Sequence, residues 1–409
     1  MTRTVFQGGR IFDGTGADPA DGDVAVEGGR IVGVGSGLDG DEAVDLDGLT
    51  ILPGLFDCHT HVCISHVDIW RAVQQPFSYQ FFVAEQNLAA TLRAGITSVR
   101  DAGGADLGIK QALEDGLISG PRLQISIVML TQTGGHGDDW FPSGADVPFF
   151  VSHPGRPPGL VDGPDEVRRK VRELVRMGAD VIKVATSGGV LSPRDDPRHA
   201  HFRPTELETL VEEATAAGIF VMAHAQGADG IKNAVRAGIR SIDHGIFLDD
   251  EAIELMKRNG TWFVPTLVAP QGVIDAAEAG VPLPPVVVDK ARSVVEIHRA
   301  AFRHAVEAGV RIAMGTDSGV TPHGRNLREL ALMVEGGMSP AAALEATTRS
   351  AAQLLGVDRD LGTIEDGKIA DLVVVSGDPY DLKTIPDRIQ QVWKAGARVD
   401  VGPTTTPPT

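Results

Sequence analysis

Short apolar runs punctuated by glycine fill the first 54 residues, at Thr4–Phe6, Asp23–Val26, Arg30–Val34, Ala43–Leu46 and Thr50–Leu52. Alternation over so few positions between Gly-rich breaks predicts strands joined by turns. The same texture returns at Gly362–Ile364, Ala370–Val375 and Ile389–Lys394. One small β-sandwich domain built from both ends, residues 1–54 with 361–401, is the economical expectation. Residues 402–409 are rich in Pro and Thr and are expected to form a disordered tail.

Between these ends the pattern changes to apolar runs separated by helical periodicity. Strand-like runs fall at Leu55–Asp57, Ser98–Arg100, Leu123–Ile127, Val181–Val184, Phe220–Ala223, Ser241–Asp243, Trp262–Val264 and Arg311–Met314. In Asp165–Met177 the apolar set Val167, Val171, Leu174, Val175 follows one helix face, as do Leu207, Leu210, Val211 and Ala214 in Glu206–Ala217. Gly178 and Gly218 stand where helices end. Alternation of this kind predicts an α/β chain, with residues 55–360 as a (β/α)8 TIM barrel.

Composition narrows the function classes. Hydrophobic residues at 42% against charged ones at 22% supply a sizeable core, which excludes a disordered or fibrous chain. Lys and Arg number 37 and Asp and Glu 55, a formal charge of −18, so the surface repels phosphate backbones and anionic lipid. No nucleic-acid or membrane partner is expected. The two cysteines, Cys58 and Cys63, make neither a disulfide framework nor a zinc knuckle. Met1–Arg10 lacks a signal peptide's apolar core, and no apolar run reaches roughly 18 residues, so a cytoplasmic chain is expected. Gly35-Ser-Gly-Leu-Asp-Gly40 fits the dinucleotide fingerprint by letters but leads into a strand, so it is read as a turn.

A barrel places reactive residues at the C-terminal ends of its strands. His59 and His61 follow the first strand, and their i, i+2 spacing lets both imidazoles face one ion. Lys183 closes the fourth, His224 the fifth and His244 the sixth, while Asp317 follows the eighth. A single strand-end histidine is more often structural, but six such residues at one end of the strands point to a metal site. Lys183 is read either as a salt-bridge partner of Asp180 or Asp317, or as a neutral amine carboxylated to a metal-bridging carbamate. Cys58, between Asp57 and His59, is expected to point away as a small buried residue.

This set resembles the amidohydrolase superfamily in its binuclear-metal subtype. Leu52-Pro-Gly-Leu-Phe-Asp57 before the histidine pair and Ile364-Glu-Asp-Gly-Lys-Ile-Ala-Asp-Leu-Val373 are similar to that family too. Gly134-Gly-His-Gly-Asp138, Ser187-Gly-Gly-Val-Leu-Ser192, Gly315-Thr-Asp-Ser-Gly319 and Pro322-His-Gly-Arg-Asn326 resemble one branch. That branch contains Xaa-Pro dipeptidases (prolidases), carboxypeptidases releasing C-terminal Lys or Arg, and ochratoxinase-like amidases of N-acyl amino acids. The resemblance implies two divalent ions, zinc being expected. His59, His61 and Asp317 would hold the more buried ion and His224 and His244 the other, with carboxylated Lys183 between them. It also implies a homo-oligomer. Where several members carry a carbonyl-binding tyrosine two residues after the fifth-strand histidine, this chain has Gln226, whose amide still donates.

The expected reaction is hydrolysis of the C–N bond of a dipeptide or N-acyl amino acid by a metal-bridging hydroxide, with Asp317 carrying the proton to the leaving nitrogen. His136 is read either as an additional donor to the developing oxyanion or as a loop residue beside Asp138. A substrate carboxylate needs a cation or donor. Arg203 and Arg325 are candidates, with Arg194, Arg198, His201 and His323 beside them, and Tyr79, Trp140 and Phe141 are candidate pocket walls. Carboxypeptidase action on basic residues, or hydrolysis of a lactone, carbamate or organophosphate at the same site, are the alternatives. Every ligand position is filled, which argues against a scaffold without chemistry, and Lys183 argues against a mononuclear deaminase.

Overall fold

A computed structural model describes residues 2–400; Met1 and 401–409, and with them the expected tail, lie outside the described residues. The strands of the two chain ends join one eight-stranded sheet. Arg3–Ile11 pairs antiparallel with Ala20–Glu27 and parallel with both Glu42–Asp45 and Leu49–Pro53. Leu49–Pro53 then pairs antiparallel with Leu372–Ser376, which carries Ile389–Lys394 and Ala397–Val399 beyond it. Phe6, Val24, Ile51, Leu372 and Val374 form the buried face, so this core draws on both ends of the chain. Gly362–Ile364 is not a strand. It is a turn that buries Ile364 and hangs its amide on the Asp13 carbonyl at 2.9 Å.

The middle of the chain is mixed α/β with parallel sheets. Leu55–Thr60, Ile96–Asp101 and Arg122–Ile125 make one. Met129–Leu130, Val181–Ala185, Phe220–Ala225, Ser241–His244 and Trp262–Val264 make the other. Leu55–Thr60, Ile96–Asp101 and Val181–Ala185 are buried at every position, as expected of parallel strands covered on both faces. Residues 311–318 touch the outer strand of each sheet: Ile312 bridges to Phe263, Met314 accepts from the Cys58 amide at 2.9 Å, and Ser318 bridges to Thr60. The expected eighth strand is thus an extended segment with isolated bridges.

The helices follow their predicted faces. Gly163–Arg176 buries Val167, Val171 and Leu174, and Pro204–Ala216 buries Leu207, Leu210 and Ala214. Gly178 and Gly218, just past these helices, sit at φ +87° and +75°, a region that costs a side chain dearly. Cys58 is fully buried among Phe56, Trp262, Val264 and Ala313. No helix of the described residues is long and apolar enough to cross a membrane.

Candidate active site

The strand ends bring the candidate ligands together. His59 and His61 aim Nε2 at the same oxygen, Asp317 Oδ1, from 3.5 and 3.3 Å. The His244 ring lies 4.8 Å from that of His59 and 4.6 Å from that of His224, centroid to centroid. Donor atoms of His59, His244 and Asp317 all fall within 4.8 Å of one another, a spacing one metal ion can span. His244 and Asp317 hold φ of +75° and +58°, unusual for side-chain-bearing residues and common where a site dictates geometry.

The outer face of each histidine is occupied. His59 Nδ1 donates to Asp243 Oδ2 at 2.7 Å and His61 Nδ1 to the Gly103 carbonyl at 2.8 Å. His244 Nδ1 meets Thr266 Oγ1 at 2.8 Å, and His224 Nε2 donates to the Gly188 carbonyl at 3.1 Å. This leaves Nε2 of His59, His61 and His244, and Nδ1 of His224, for the interior of the site. Metal-binding imidazoles are held in this manner, one nitrogen tied outward and the other bare. Asp317 Oδ1 is likewise buried without a hydrogen-bond partner among the described residues. The donor set therefore fits divalent metal ions.

Electrostatics point the same way. Burial, reinforced by Lys183, holds His59 well below the ordinary imidazole value. Burial and the neighbouring His136 do the same to His224, and burial takes His244 down to about 3. His61 differs: burial opposes its charge, but the adjacent Asp317 outweighs it and raises the group. Burial would raise Asp317 too, yet His59 and His61 dominate and hold it well below the usual carboxylate range. Burial lowers Lys183 to about 8, so a neutral amine is within reach at mild pH.

Lys183 pairs neither with Asp180, which binds Lys110, nor closely with Asp317; its neighbour is Asp243, 3.5 Å away. Asp243 was invisible in the sequence, although it directly precedes His244. Fully buried, it also accepts from Ser241 Oγ at 2.9 Å and from Arg100 Nη2 at 3.3 Å. Arg100 reaches it from the neighbouring sheet and donates Nε to the Cys58 carbonyl at 2.7 Å. Asp57 is a second buried carboxylate, pushed up to about 6 by burial. It takes bonds from Thr316 Oγ1 at 2.6 Å and Asn326 Nδ2 at 2.7 Å, tying the Asp317 segment to the first strand.

A cavity of about 580 Å³ stands over these residues. His59, His61, Lys183, His224, His244 and Asp317 line it together with His136 and Gln226. His136 stacks on His224 at 4.2 Å and bonds through Nδ1 to Asp195, not to Asp138. Gln226 is buried, and its Oε1 has no partner among the described residues. Apolar groups dominate the walls, including Ile69, Trp70, Phe141, Phe149, Phe150 and Leu283.

The other substrate candidates lie elsewhere. Tyr79 is exposed at the start of helix Tyr79–Arg93, Arg203 is exposed before helix Pro204–Ala216, and Arg325 is exposed on its loop; none of them lines the cavity. His323 is buried behind the site, with Nε2 at 3.1 and 3.0 Å from the His61 and Ile64 carbonyls. Arg198, His201 and Trp140 are off the wall as well. Arg194 is on it, 4.8 Å over the Phe141 ring, and donates to the Asp138 carbonyl at 2.9 Å.

Parallel strands and the segment before Asp317 set a histidine, lysine and aspartate centre under one cavity, an arrangement suited to metal-assisted hydrolysis on an α/β fold. Comparison with known proteins makes it specific. Residues 50–401 match the amidohydrolase family. Ochratoxinase of Aspergillus niger is 36% identical over 365 residues, 85% of this chain and 75% of the relative. The crystal structure of a Xaa-Pro dipeptidase with methionine in its active site superposes with a TM-score of 0.88 at 34% identity, covering 98% of this chain and 100% of that one. A prolidase complexed with N-methylphosphonate-L-proline gives a TM-score of 0.87 at 36% identity, covering 97% and 99%. The chain belongs to the amidohydrolase family, in its branch of prolidases and ochratoxinase. It is a hydrolase of amide C–N bonds.

Proposed function

We propose that this protein cleaves the amide bond of N-acyl amino acids or dipeptides bearing apolar groups, Xaa-Pro among them. The observation that carries this reading is the convergence of bare ring nitrogens and the unpartnered Asp317 Oδ1 beneath a mostly apolar cavity. The two parallel sheets with residues 311–318 are read as one (β/α)8 barrel over 55–360. The sheet of the chain ends is read as a β-sandwich domain, 1–54 with 361–401.

Two divalent ions, zinc in this reading, would be held by His59, His61 and Asp317 and by His224 and His244, with Lys183 between them as a carbamate. When bound, they supply Lewis acidity toward a carbonyl oxygen and make water acidic enough to attack near neutral pH. The Asp317 carboxylate accepts the proton of the attacking water and passes it to the leaving nitrogen. Gln226, one of whose amide atoms lacks a partner, bonds the polar atoms of the substrate, and His136 faces them from the opposite loop. The apolar wall excludes water and holds an acyl or side-chain group.

A second reading has its own observation. Asp138, Asp139 and Asp146 also line the cavity, which suits a substrate with a basic C-terminal residue. The test is amino-acid release from a panel of Xaa-Pro, Xaa-Lys/Arg and N-acyl amino acids by metal-reconstituted protein, with Lys183→Ala beside it. Release from apolar substrates by the parent alone supports the first reading, and preferential release of Lys or Arg supports the second. Silence across the panel with metal bound would refute both.

A further inference from the structure

We infer that Asp195, anchored by Lys290, is a positioning residue that fixes the ring plane and tautomer of His136, so that Nε2 is the nitrogen presented to the cavity. Asp195 lies on the loop after strand Val181–Ala185, His136 on the loop after strand Met129–Leu130, and Lys290 on helix Pro285–Ala308. Three chain segments distant in sequence thus meet at one carboxylate, that of Asp195.

Three contacts restrain the His136 ring. Its Nδ1 lies 3.0 Å from Asp195 Oδ2, and a carboxylate only accepts, so Nδ1 carries the proton. Its plane stacks on His224 at 4.2 Å with 16° between the rings. Its other face lies against Gly189, where a Cβ would fall 2.2 Å from Cε1, 2.5 Å from Nδ1 and 2.6 Å from Nε2. Only glycine leaves room for the ring there.

Asp195 is itself held. Its side chain is 3% exposed, and Oδ2 also accepts the Gly189 amide at 3.1 Å. Lys290 Nζ stands 3.4 Å from Oδ1 and donates to the carbonyls of Gly189 at 3.1 Å, Ser192 at 2.7 Å and Asp195 itself. One ammonium therefore gathers the backbone of the whole loop and neutralises the carboxylate that holds the ring. Burial would raise Asp195, but His136 and Lys290 prevail and keep it below its ordinary value. This arrangement has the logic of an acid–histidine pair in nucleophilic hydrolases, in which the acid sets which ring nitrogen works.

The inference rests on the amide-hydrolase reading only for its kinetic arm. Asp195→Asn puts a donor–donor conflict at one of the two carboxylate oxygens whichever way the amide turns. With metal content unchanged, kcat is expected to fall roughly 100-fold with little change in KM. In a His136→Ala background the same substitution should cost almost nothing further. An equal loss in both backgrounds would make Asp195 a plain loop brace and overturn the inference. The second arm needs no substrate: in long-range proton–nitrogen spectra of histidine-labelled protein, His136 should show a protonated Nδ1. A bare Nδ1 in the parent, or a spectrum untouched by Asp195→Asn, overturns the inference as well. Should Asp195→Asn not fold, the parent spectrum alone decides. A parent with the expected spectrum but no activity on the panel would instead count against the amide-hydrolase reading.

Discussion

Asp243→Ala separates two jobs that one buried carboxylate performs. In the parent it accepts from His59 Nδ1 at 2.7 Å and from Arg100 at 3.3 Å, and it is fully buried. Removing it takes from Lys183 the carboxylate 3.5 Å away and strands a guanidinium that is 3% exposed, with the Cys58 carbonyl and Ser241 hydroxyl left to it among the described residues. Breaking a buried pair from one side costs about 3–5 kcal/mol, mostly the penalty of the orphaned charge. The same change frees the His59 ring, and loss of such an outer partner lowers metal affinity about 10–100-fold. Urea unfolding of the metal-free protein reads the first effect, and competition with a chromophoric chelator reads the second. Adding Arg100→Met removes the stranded charge, so the double variant should regain much of the lost stability while metal affinity stays low. A double variant no more stable than Asp243→Ala, or one with parental metal affinity, would refute this division of labour.

Other outcomes follow from the same geometry. Gly189→Ala should cut kcat/KM about 100-fold without loss of metal, since a Cβ 2.2 Å from His136 Cε1 displaces the ring by an ångström or more; parental kinetics would show that the ring position is idle. Folding stability of the metal-free chain should fall as pH drops from 6.5 toward 3. His244, His298 and His323 have values of about 3, 4 and 4 when folded against 6.5 unfolded, so the unfolded chain takes up protons first. A melting temperature flat across that window would count against these burials. Glu329 is opposite in sign: burial raises it from 4.5 to about 8, so its share of stability is full below 4.5 and is lost as pH rises through 8. It accepts the Leu267 and Val268 amides at 2.7 and 2.8 Å. Glu329→Gln should therefore cost about 1–3 kcal/mol at neutral pH, read by denaturant unfolding, because one amide loses its acceptor.

The metal-ligand candidates stood out in the sequence because each was expected at a strand end, where period-2 alternation says which way a side chain faces. His59 and His61 needed no more than that. Asp243 and Asp195 were not legible, because their partners come from far away in the chain: Arg100 and His59 for one, His136 and Lys290 for the other. A carboxylate beside a histidine in sequence says nothing of the guanidinium that will meet it across two sheets. Arg203, Arg325 and Tyr79 lie off the cavity for a related reason. Their loops were foreseeable, but loop residues lack the alternation that gives direction, and all three turned to the surface. Arg311–Met314 was expected as a strand from its apolar run, yet it meets the sheets on either side through an isolated bridge of Ile312 to Phe263 and a bond from the Cys58 amide to the Met314 carbonyl.

The shared sheet of the two chain ends has a consequence during synthesis on the ribosome. Strand Leu49–Pro53 is made early, but its partner Leu372–Ser376 emerges only after about 320 more residues, roughly 15–65 s later at the usual pace of elongation. Until then one edge of the early sheet is open, and Phe6, Val24 and Ile51 lack the Leu372 and Val374 side chains that cover them. A nascent chain with an open edge and half a core is an invitation to pair with its neighbours on a polysome. Strands made about 320 residues apart thus shield one another, and a chain halted just before residue 372 would carry every metal-ligand candidate and still present that apolar face.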